Sequence, residues 1–336
     1  MDNKSIACKI CGNTQSNKVY SVREMMLGLK RVFPYLECAG CGCLQLIDIP
    51  QDMSTYYPAD YYSFQEPEAF GKFENDNPVV RFLRRQRTAY MLGGDNVIGR
   101  LCFTVNPSPL KLSGYIQFLK KCNCRLDSKI LDVGCGKGGM LSELAWYGFS
   151  DLTGVDPFIK TDFHSRNVNI YKSDIFSLEG SFDIIMFNHS FEHMDRPLAV
   201  LTKARELLSD NGRVLVRIPT VSSYAWQQYG AHWISLDAPR HVFLYSLKAF
   251  GILAGKVGFR IRETLYDSSA FSLWGSEQYR ADIPLFDERS YSVNKQKSIF
   301  SEEQIKEFAI LADKLNAEKR GDAICLFLEV TSAEKR

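Results

Sequence analysis

Four cysteines stand in two C-x-x-C pairs, and each pair is followed directly by a glycine. The pairs are Cys8 with Cys11 and Cys38 with Cys41. Four thiolates at this spacing can close a tetrahedral zinc site, and the glycines let the backbone turn its amides toward the sulfurs. We therefore predict a structural zinc ribbon at residues 1–60, with a β-hairpin between the pairs. Cysteines without a metal and a redox C-x-x-C are the alternatives, and the lack of a βαβ pattern around either pair disfavours the redox role.

A glycine-rich segment, ILDVGCGKGGML, connects a predicted strand to a predicted helix. Its Gly134, Gly136 and Gly139 fit the dinucleotide-binding pattern G-x-G-x-x-G, so a nicotinamide or flavin enzyme is one interpretation. Asp132 lies two residues before the first glycine. A carboxylate at that place would repel a diphosphate and attract a ligand that carries a cationic amino group. The acid therefore favours a cationic ligand over a dinucleotide.

The glycines and the acids that follow them resemble the motifs of the class I methyltransferases that use S-adenosylmethionine (SAM). The resemblance extends over about residues 110–266. It implies that Asp156 accepts the ribose hydroxyls of SAM, that Asp174 binds the adenine amino group, and that Asn188 contacts the methionine part. The expected cofactor-binding residues are Asp132, Gly134, Cys135, Gly136, Gly138, Asp156, Asp174, Ile175 and Asn188.

An H-x-x-E-H sequence is formed by His189, Glu192 and His193. In one class of metalloproteases this pattern places two zinc-binding histidines on a helix. Here the apolar run FDIIMF leads directly into it, so we expect His189 at the carboxyl end of a strand. Ligands of open α/β sheets bind at those ends, and the three side chains should therefore line the cofactor crevice or its rim.

A long loop, residues 221–246, carries two further histidines. Its segment RHVFLYS resembles the region of the zinc-containing sugar C-methyltransferases that holds their catalytic histidine, which corresponds to His241. Those enzymes have an acid where this chain has Arg240, so their reaction is not implied in detail. We predict that His241 is the base that takes the proton of the acceptor, with His193 as second choice. A buried structural histidine is the alternative for His241.

A parallel sheet is needed to bring these residues together. Short apolar runs alternate with helical patterns in the centre of the chain, which is typical of βαβ units. We predict a doubly wound α/β fold with a seven-stranded, Rossmann-like sheet at residues 110–336, and a helical insert at about 268–320 before the last strand. Residues 61–109 are predicted to form a helical connector. The helix before the fifth strand is expected to end at Gly212.

Composition limits the function further. The chain has 336 residues, with 41 basic and 39 acidic side chains and a formal net charge of +2, so nothing requires a nucleic acid as partner. The N-terminus lacks the apolar segment of a secretory signal, and no stretch approaches the ~18 apolar residues that span a bilayer. We therefore expect a cytoplasmic protein, although basic residues near Arg81–Arg87 leave peripheral membrane contact open.

The predicted function is SAM-dependent methyl transfer to a sugar, a nucleotide-sugar or a glycan-linked small molecule. The resemblance is to zinc-ribbon methyltransferases of bacterial polysaccharide and sugar biosynthesis. Two alternatives remain, an RNA methyltransferase that recognises its substrate through the ribbon and a non-catalytic interaction protein. The absence of an Asn-Pro-Pro-aromatic motif after the fourth strand disfavours base methylation, since Asn188-His189-Ser190-Phe191 stands there. The complete set of cofactor motifs disfavours the non-catalytic alternative.

Overall fold

The computed structural model describes residues 6–57, 77–105 and 113–331. The predicted domain boundaries near residues 60 and 110 lie outside the described residues. The division into ribbon, connector and methyltransferase domain therefore remains a prediction.

Twelve strands are present among the described residues. In chain order they are β1 (Lys18–Arg23), β2 (Val32–Glu37), β3 (Leu44–Leu46), β4 (Lys129–Val133), β5 (Asp151–Val155), β6 (Phe163–His164), β7 (Val168–Tyr171), β8 (Phe182–Asn188), β9 (Leu208–Pro219), β10 (Phe243–Leu244), β11 (Phe259–Tyr266) and β12 (Ala323–Val330). The α-helices are α1 (Pro78–Met91), α2 (Val97–Val105), α3 (Ser113–Lys121), α4 (Gly139–Tyr147), α5 (Pro197–Glu206), α6 (Tyr224–Tyr229), α7 (Leu247–Lys256), α8 (Ala270–Arg280) and α9 (Glu302–Ala317). None of the described helices is long and apolar enough to cross a membrane.

The large sheet has the order β11-β12-β9-β8-β4-β5-β7-β6. Strands β9, β8, β4, β5 and β7 run parallel, and β12 lies antiparallel between β9 and β11. This is the expected doubly wound α/β fold. The expected number of seven strands was wrong by one, because β6 adds a two-residue edge strand that is too short for an alternating pattern to reveal.

The predicted end of the helix before β9 was also wrong. Helix α5 ends at Glu206, and β9 begins at Leu208, so Gly212 lies inside the strand. The carbonyl of Leu207 accepts a hydrogen bond from the backbone N–H of Phe182 at 2.8 Å. This bond draws the chain into the sheet earlier than the helical pattern suggests.

Two apolar layers cover the faces of the sheet. Alternate residues of one strand enter different layers, as Ile184 and Ile185 of β8 show. One layer contains Leu201 of α5 and Phe250 of α7, whereas helices α3 and α4 contribute to the other. Because both faces are covered, the polar residues that are predicted to bind the cofactor lie at the carboxyl edge of the strands.

The small N-terminal sheet extends beyond the ribbon segment. Its order is β1-β2-β3-β10, so a strand from the loop after β9 completes it. Phe243 pairs with Gln45, and the hydroxyl of Ser246 donates to the carbonyl of Cys41. The predicted hairpin between the cysteine pairs is confirmed as β1 and β2. The sequence did not reveal that the ribbon and this loop share one sheet.

The insert between β11 and β12 contains α8 and α9. The side chain of Ser301 accepts the N–H of Gln304, and the side chain of Gln304 accepts the N–H of Ser301. This capping box opens α9. Helix α8 packs against the loop after β9, and its position makes the insert part of the wall around the site.

Candidate functional site

The glycine loop joins β4 to α4 in a left-handed backbone conformation. Gly134 has a φ angle of +77°, and a Cβ atom added there would lie 2.5 Å from Cβ of Ser190. A side chain at this position would therefore meet both backbone strain and a clash. The hydroxyl of Ser190 donates to the carbonyl of Val133, which holds the segment after β8 directly against the loop.

Two buried acids flank the glycine loop. Asp156, after β5, accepts the backbone N–H of Gly136 at 2.9 Å on Oδ2 and that of Phe158 at 2.8 Å on Oδ1. Asp132 is only 3% exposed, and its Oδ1 has no hydrogen-bond partner among the described residues. Burial, together with the charge of Asp156, raises the pKa of Asp132 to about 7. Such a carboxylate is suited to a cationic group of a ligand.

The raised pKa predicts a pH dependence of folding stability in the ligand-free protein. Because the pKa of Asp132 is about 7 when folded and 3.8 ordinarily, its stabilising contribution is complete below about pH 4 and is lost as the pH rises to 7. Asp132→Asn carries no such charge. Between about pH 4 and pH 7, the free energy of unfolding of Asp132→Asn should therefore rise relative to that of the wild type by up to about 4 kcal/mol. Urea unfolding at several pH values measures the difference, and a pH-independent difference would contradict the prediction.

The remaining expected cofactor residues continue along the same edge. Asp174 follows β7, and its Oδ1 accepts the backbone N–H groups of Phe176 at 3.0 Å and Ser177 at 3.2 Å. The next residue, Ile175, is buried. Asn188 ends β8, and its Oδ1 lies 3.3 Å from Nη1 of Arg217. The sheet thus brings the predicted cofactor residues to four neighbouring strands, and their individual contacts with SAM remain predictions.

A cluster of one carboxylate and three histidines lies beside the loop. Glu192 is fully buried, and Nδ1 of His189 and Nε2 of His241 lie 3.6 Å and 3.8 Å from its Oε1. The rings of His193 and His241 meet edge to face, with centroids 4.6 Å apart. Burial alone would raise the pKa of the Glu192 carboxyl, but the surrounding histidines hold it below its ordinary value. Burial and the neighbouring His241 lower the pKa of His193 to about 4.

His241 has a fixed orientation. Its Nδ1 lies 2.7 Å from the carbonyl oxygen of Ser235. A carbonyl only accepts, so Nδ1 carries the proton and the neutral ring has its lone pair on Nε2. That nitrogen faces Oε1 of Glu192 at 3.8 Å and Oδ2 of Asp237 at 3.9 Å. A lone pair between two carboxylates is well placed to take a proton.

Arg240, the sequence neighbour of His241, forms buried ion pairs that hold the fold together. Its fully buried guanidinium contacts the carboxylates of Asp237 and Glu24, and Glu24 lies in the turn between β1 and β2. Its backbone carbonyl lies 2.9 Å from Nδ1 of His193. Arg240 therefore links the N-terminal hairpin to both histidines. The acids next to His241 come from elsewhere in the fold, at Glu192 and Asp237.

A cavity of about 490 Å³ opens beside the cluster. Its walls come from the strand ends, from the insert and from the N-terminal hairpin, which contributes Met26. The lining includes serines and acidic residues as well as the apolar side chains of Phe271, Leu285 and Phe286. Oδ1 of the cavity-lining Asp267 is buried without a hydrogen-bond partner among the described residues. The contribution of the hairpin could not be seen in the sequence, since Met26 belongs to no motif.

The four predicted zinc ligands form a separate group. Sγ of Cys8 lies 3.6 Å from Sγ of Cys41, and Sγ of Cys11 lies 3.4 Å from Sγ of Cys38. All four sulfurs lie within 4.8 Å of one another. Ligands bound tetrahedrally at about 2.3 Å would be about 3.8 Å apart, so the sulfurs fit one zinc ion.

Comparison with known proteins identifies the central segment. Residues 109–264 match the family described as a methyltransferase domain. This segment is a methyltransferase domain. The glycine loop, the two buried acids and the histidine cluster all lie within the matched residues. Glu24, Met26 and the insert lie outside them and approach the site from other parts of the chain.

Two similar curated proteins are ubiquinone biosynthesis O-methyltransferases. The one from Cereibacter sphaeroides is 34% identical over 128 residues, which cover 33% of this chain and 50% of the relative. The one from Actinobacillus pleuropneumoniae is 26% identical over 151 residues, which cover 40% and 63%. The chain thus spans between half and two thirds of the length of these relatives. A solved cyclopropane synthase from Mycobacterium tuberculosis aligns with 16% identity and a TM-score of 0.38, over 60% of this chain and 78% of that chain.

Proposed function

We propose that the chain transfers the methyl group of SAM to a hydroxyl of a sugar, a nucleotide-sugar or a glycan-linked small molecule. The observation that carries the proposal is the orientation of His241. Its Nε2 lone pair faces the carboxylates of Glu192 and Asp237, and all three residues line the cavity. An enzyme that methylates a hydroxyl needs a base at this place, whereas a binding protein does not.

The proposed step is an in-line displacement at the methyl carbon. The acceptor oxygen forms a bond to the methyl carbon as the carbon–sulfur bond breaks, and the sulfur keeps the bonding electrons, which gives uncharged S-adenosylhomocysteine. The hydroxyl proton passes to Nε2 of His241. Glu192 and Asp237 stabilise the imidazolium that results, and alignment of the reactants supplies much of the remaining rate. His193 remains the second candidate, because burial and the neighbouring His241 lower its pKa to about 4 and make it a weaker base.

The lining of the cavity supports an acceptor with several hydroxyls. Both carboxylate oxygens of Glu192 and Oδ1 of Asp267 are buried and accept no hydrogen bond from the described residues. Buried acceptors without donors are costly, so a ligand that supplies O–H donors is favoured. The apolar side chains of Phe271 and Leu285 in the lining suit the carbon face of a sugar ring. The printed names of the two relatives, both O-methyltransferases, support oxygen as the methylated atom.

We also propose that the four cysteines hold one structural zinc ion. Three of them are buried, and none of the four lines the cavity. The ion would stabilise the small sheet, and this sheet holds β10 and the loop before it in place. Its role is therefore to support the loop that carries His241.

The SAM half of the proposal is tested by calorimetry on Asp156→Ala. The substitution removes the expected acceptor of the ribose hydroxyls and also the acceptor of two loop N–H groups. Hydrogen bonds to charged groups are worth about 1.5–3 kcal/mol, so the dissociation constant for SAM should rise by about 10-fold to 100-fold. Asp151→Ala, at the exposed opposite end of β5, is the control. Equal affinity in the wild type and Asp156→Ala would reject the assignment.

The acceptor half is tested by release of S-adenosylhomocysteine. Sugar nucleotides and RNA are offered separately to the wild type, and turnover is expected with a sugar nucleotide. Turnover with RNA alone would overturn the proposed acceptor class and leave the SAM assignment in place.

A further inference from the structure

The buried carboxylate of Glu192 lacks hydrogen-bond donors among the described residues. Its side chain is 0% exposed, and neither Oε1 nor Oε2 accepts a hydrogen bond from the residues that the structure describes. Buried carboxylates are normally paired or bound to a metal, because an isolated buried charge is strongly unfavourable. The nearest positive partners would be His189 and His241, which lie beyond hydrogen-bonding distance at 3.6 Å and 3.8 Å. The carboxylate points to a ligand that sits between these groups.

The two neighbouring histidines are held as metal ligands usually are. Nδ1 of His241 donates to the carbonyl of Ser235, and Nδ1 of His193 donates to the carbonyl of Arg240 and also lies 3.0 Å from the hydroxyl of Tyr57. Both neutral rings therefore have their lone pair on Nε2. A backbone carbonyl on the other ring nitrogen is the common way to fix the tautomer and direction of a metal-bound histidine.

We propose that Glu192, His193 and His241 bind one divalent transition-metal cation, separate from the cysteine site. One ligand atom of each residue lies within 4.8 Å of the others. Ligands held at about 2.0–2.2 Å from one ion are at most about 4.4 Å apart, so the 3.8 Å between Oε1 of Glu192 and Nε2 of His241 fits with little adjustment. Two imidazoles and one carboxylate favour Zn²⁺, Co²⁺, Fe²⁺ or Mn²⁺ over Mg²⁺ and Ca²⁺.

This site differs from the helical H-x-x-E-H site of metalloproteases. His189 has a φ angle of +51° at the end of β8, and Phe191–His193 form one 3-10 turn, so the two histidines of the motif are not stacked on an α-helix. The third ligand comes instead from the loop after β9. Three protein ligands leave coordination positions open, and all three residues line the 490 Å³ cavity. A hydroxyl of the acceptor could occupy an open position.

The inference rests on the proposed function for the role of the cavity as the acceptor site. Coordination and proton acceptance by Nε2 of His241 exclude each other, so the base role belongs to the cation-free form and the ligand role to the cation-bound form. In the cation-bound form the ion would fix the acceptor oxygen and lower the pKa of its hydroxyl. Cation-bound and cation-free protein should therefore differ in their pH–rate profiles.

Titration with Co²⁺ tests the site without an activity assay. Purified protein is treated with a chelator that leaves its cysteine-bound zinc in place, and Co²⁺ is added while zinc content is monitored. We expect one further Co²⁺ per chain, with visible absorption typical of nitrogen and oxygen ligands and without thiolate-to-cobalt charge transfer. Glu192→Gln and His241→Asn keep the shape of the site and should each weaken Co²⁺ binding at least about 10-fold, since even loss of a supporting contact costs that much. His164→Ala, an exposed histidine on β6, should bind like the wild type.

The outcomes separate this inference from the proposed function. Absence of a bound Co²⁺ in addition to the zinc, or unchanged Co²⁺ binding in Glu192→Gln with normal melting, would overturn the metal site, while SAM binding and product release would still support methyl transfer. Thiolate-type absorption would place the Co²⁺ in the ribbon and overturn it equally. If Co²⁺ binds as expected and SAM does not bind, the metal site stands and the proposed function fails.

Discussion

His241→Ala is expected to fold and bind SAM nearly as the wild type does, while its turnover falls by about two to four powers of ten. That range is the usual contribution of a positioned acid–base group. The physical reason is the fixed ring, whose Nε2 faces Glu192 and Asp237 while Nδ1 is held by Ser235. Steady-state release of S-adenosylhomocysteine, SAM calorimetry and thermal melting measure the three quantities on the same preparation.

A structural role for His241 predicts a different pattern of damage. Loss of the ring would leave the carbonyl of Ser235 without its donor, so the melting temperature would fall and activity would decline only with the folded fraction. His241→Asn keeps an N–H donor near that carbonyl and separates the two roles, since it should remain stable and inactive. His164→Ala is the matched control. Full turnover in a stable His241→Ala protein would exclude this base and transfer the role to His193.

Cys38→Ser is expected to lower the zinc content of the protein from about one ion per chain and to lower its melting temperature by more than about 5 °C. Structural zinc sites contribute roughly 10–16 kcal/mol of apparent binding free energy in small domains, and part of this is lost with one ligand. The loss should spread beyond the ribbon. Tyr35 of β2 donates to the carbonyl of His241 at 2.7 Å, and β10 pairs with β3, so the loop that carries His241 depends on the small sheet.

Elemental analysis and calorimetric melting check this expectation. Cys102→Ser is the control, because Cys102 lies on α2 and belongs to neither of the two proposed metal sites. Limited proteolysis within residues 221–246 should also accelerate in Cys38→Ser if the ribbon supports the loop. A protein that is purified without zinc and melts at the same temperature as Cys38→Ser would show that the cysteines hold no structural ion.

Local sequence patterns predicted most strands and helices, and they predicted the residues of the site that lie next to strand ends. The strands β4, β5, β8 and β11, the glycine loop and the capping box at Ser301 depend on residues within a few positions of one another. Hydrophobic periodicity and glycine placement act over that range, so they can be read along the chain. The exit of α5 was misplaced because pairing between Phe182 and Leu207 outweighed the helical pattern.

The sequence by itself determined the fold class, the parallel edge where ligands bind, the acids along that edge and the two cysteine pairs. Tertiary structure alone decided what faces His241. Glu192 lies 49 positions away from His241 in sequence. Arg240 stands where the similar sugar methyltransferases have an acid, and it is paired with Glu24. Met26 reaches the cavity from the N-terminal hairpin. These contacts join loops from different elements, and their geometry follows from how the small sheet, the insert and the large sheet pack together. No periodicity within one segment carries that information, because packing is a property of surfaces that meet only when the chain has folded.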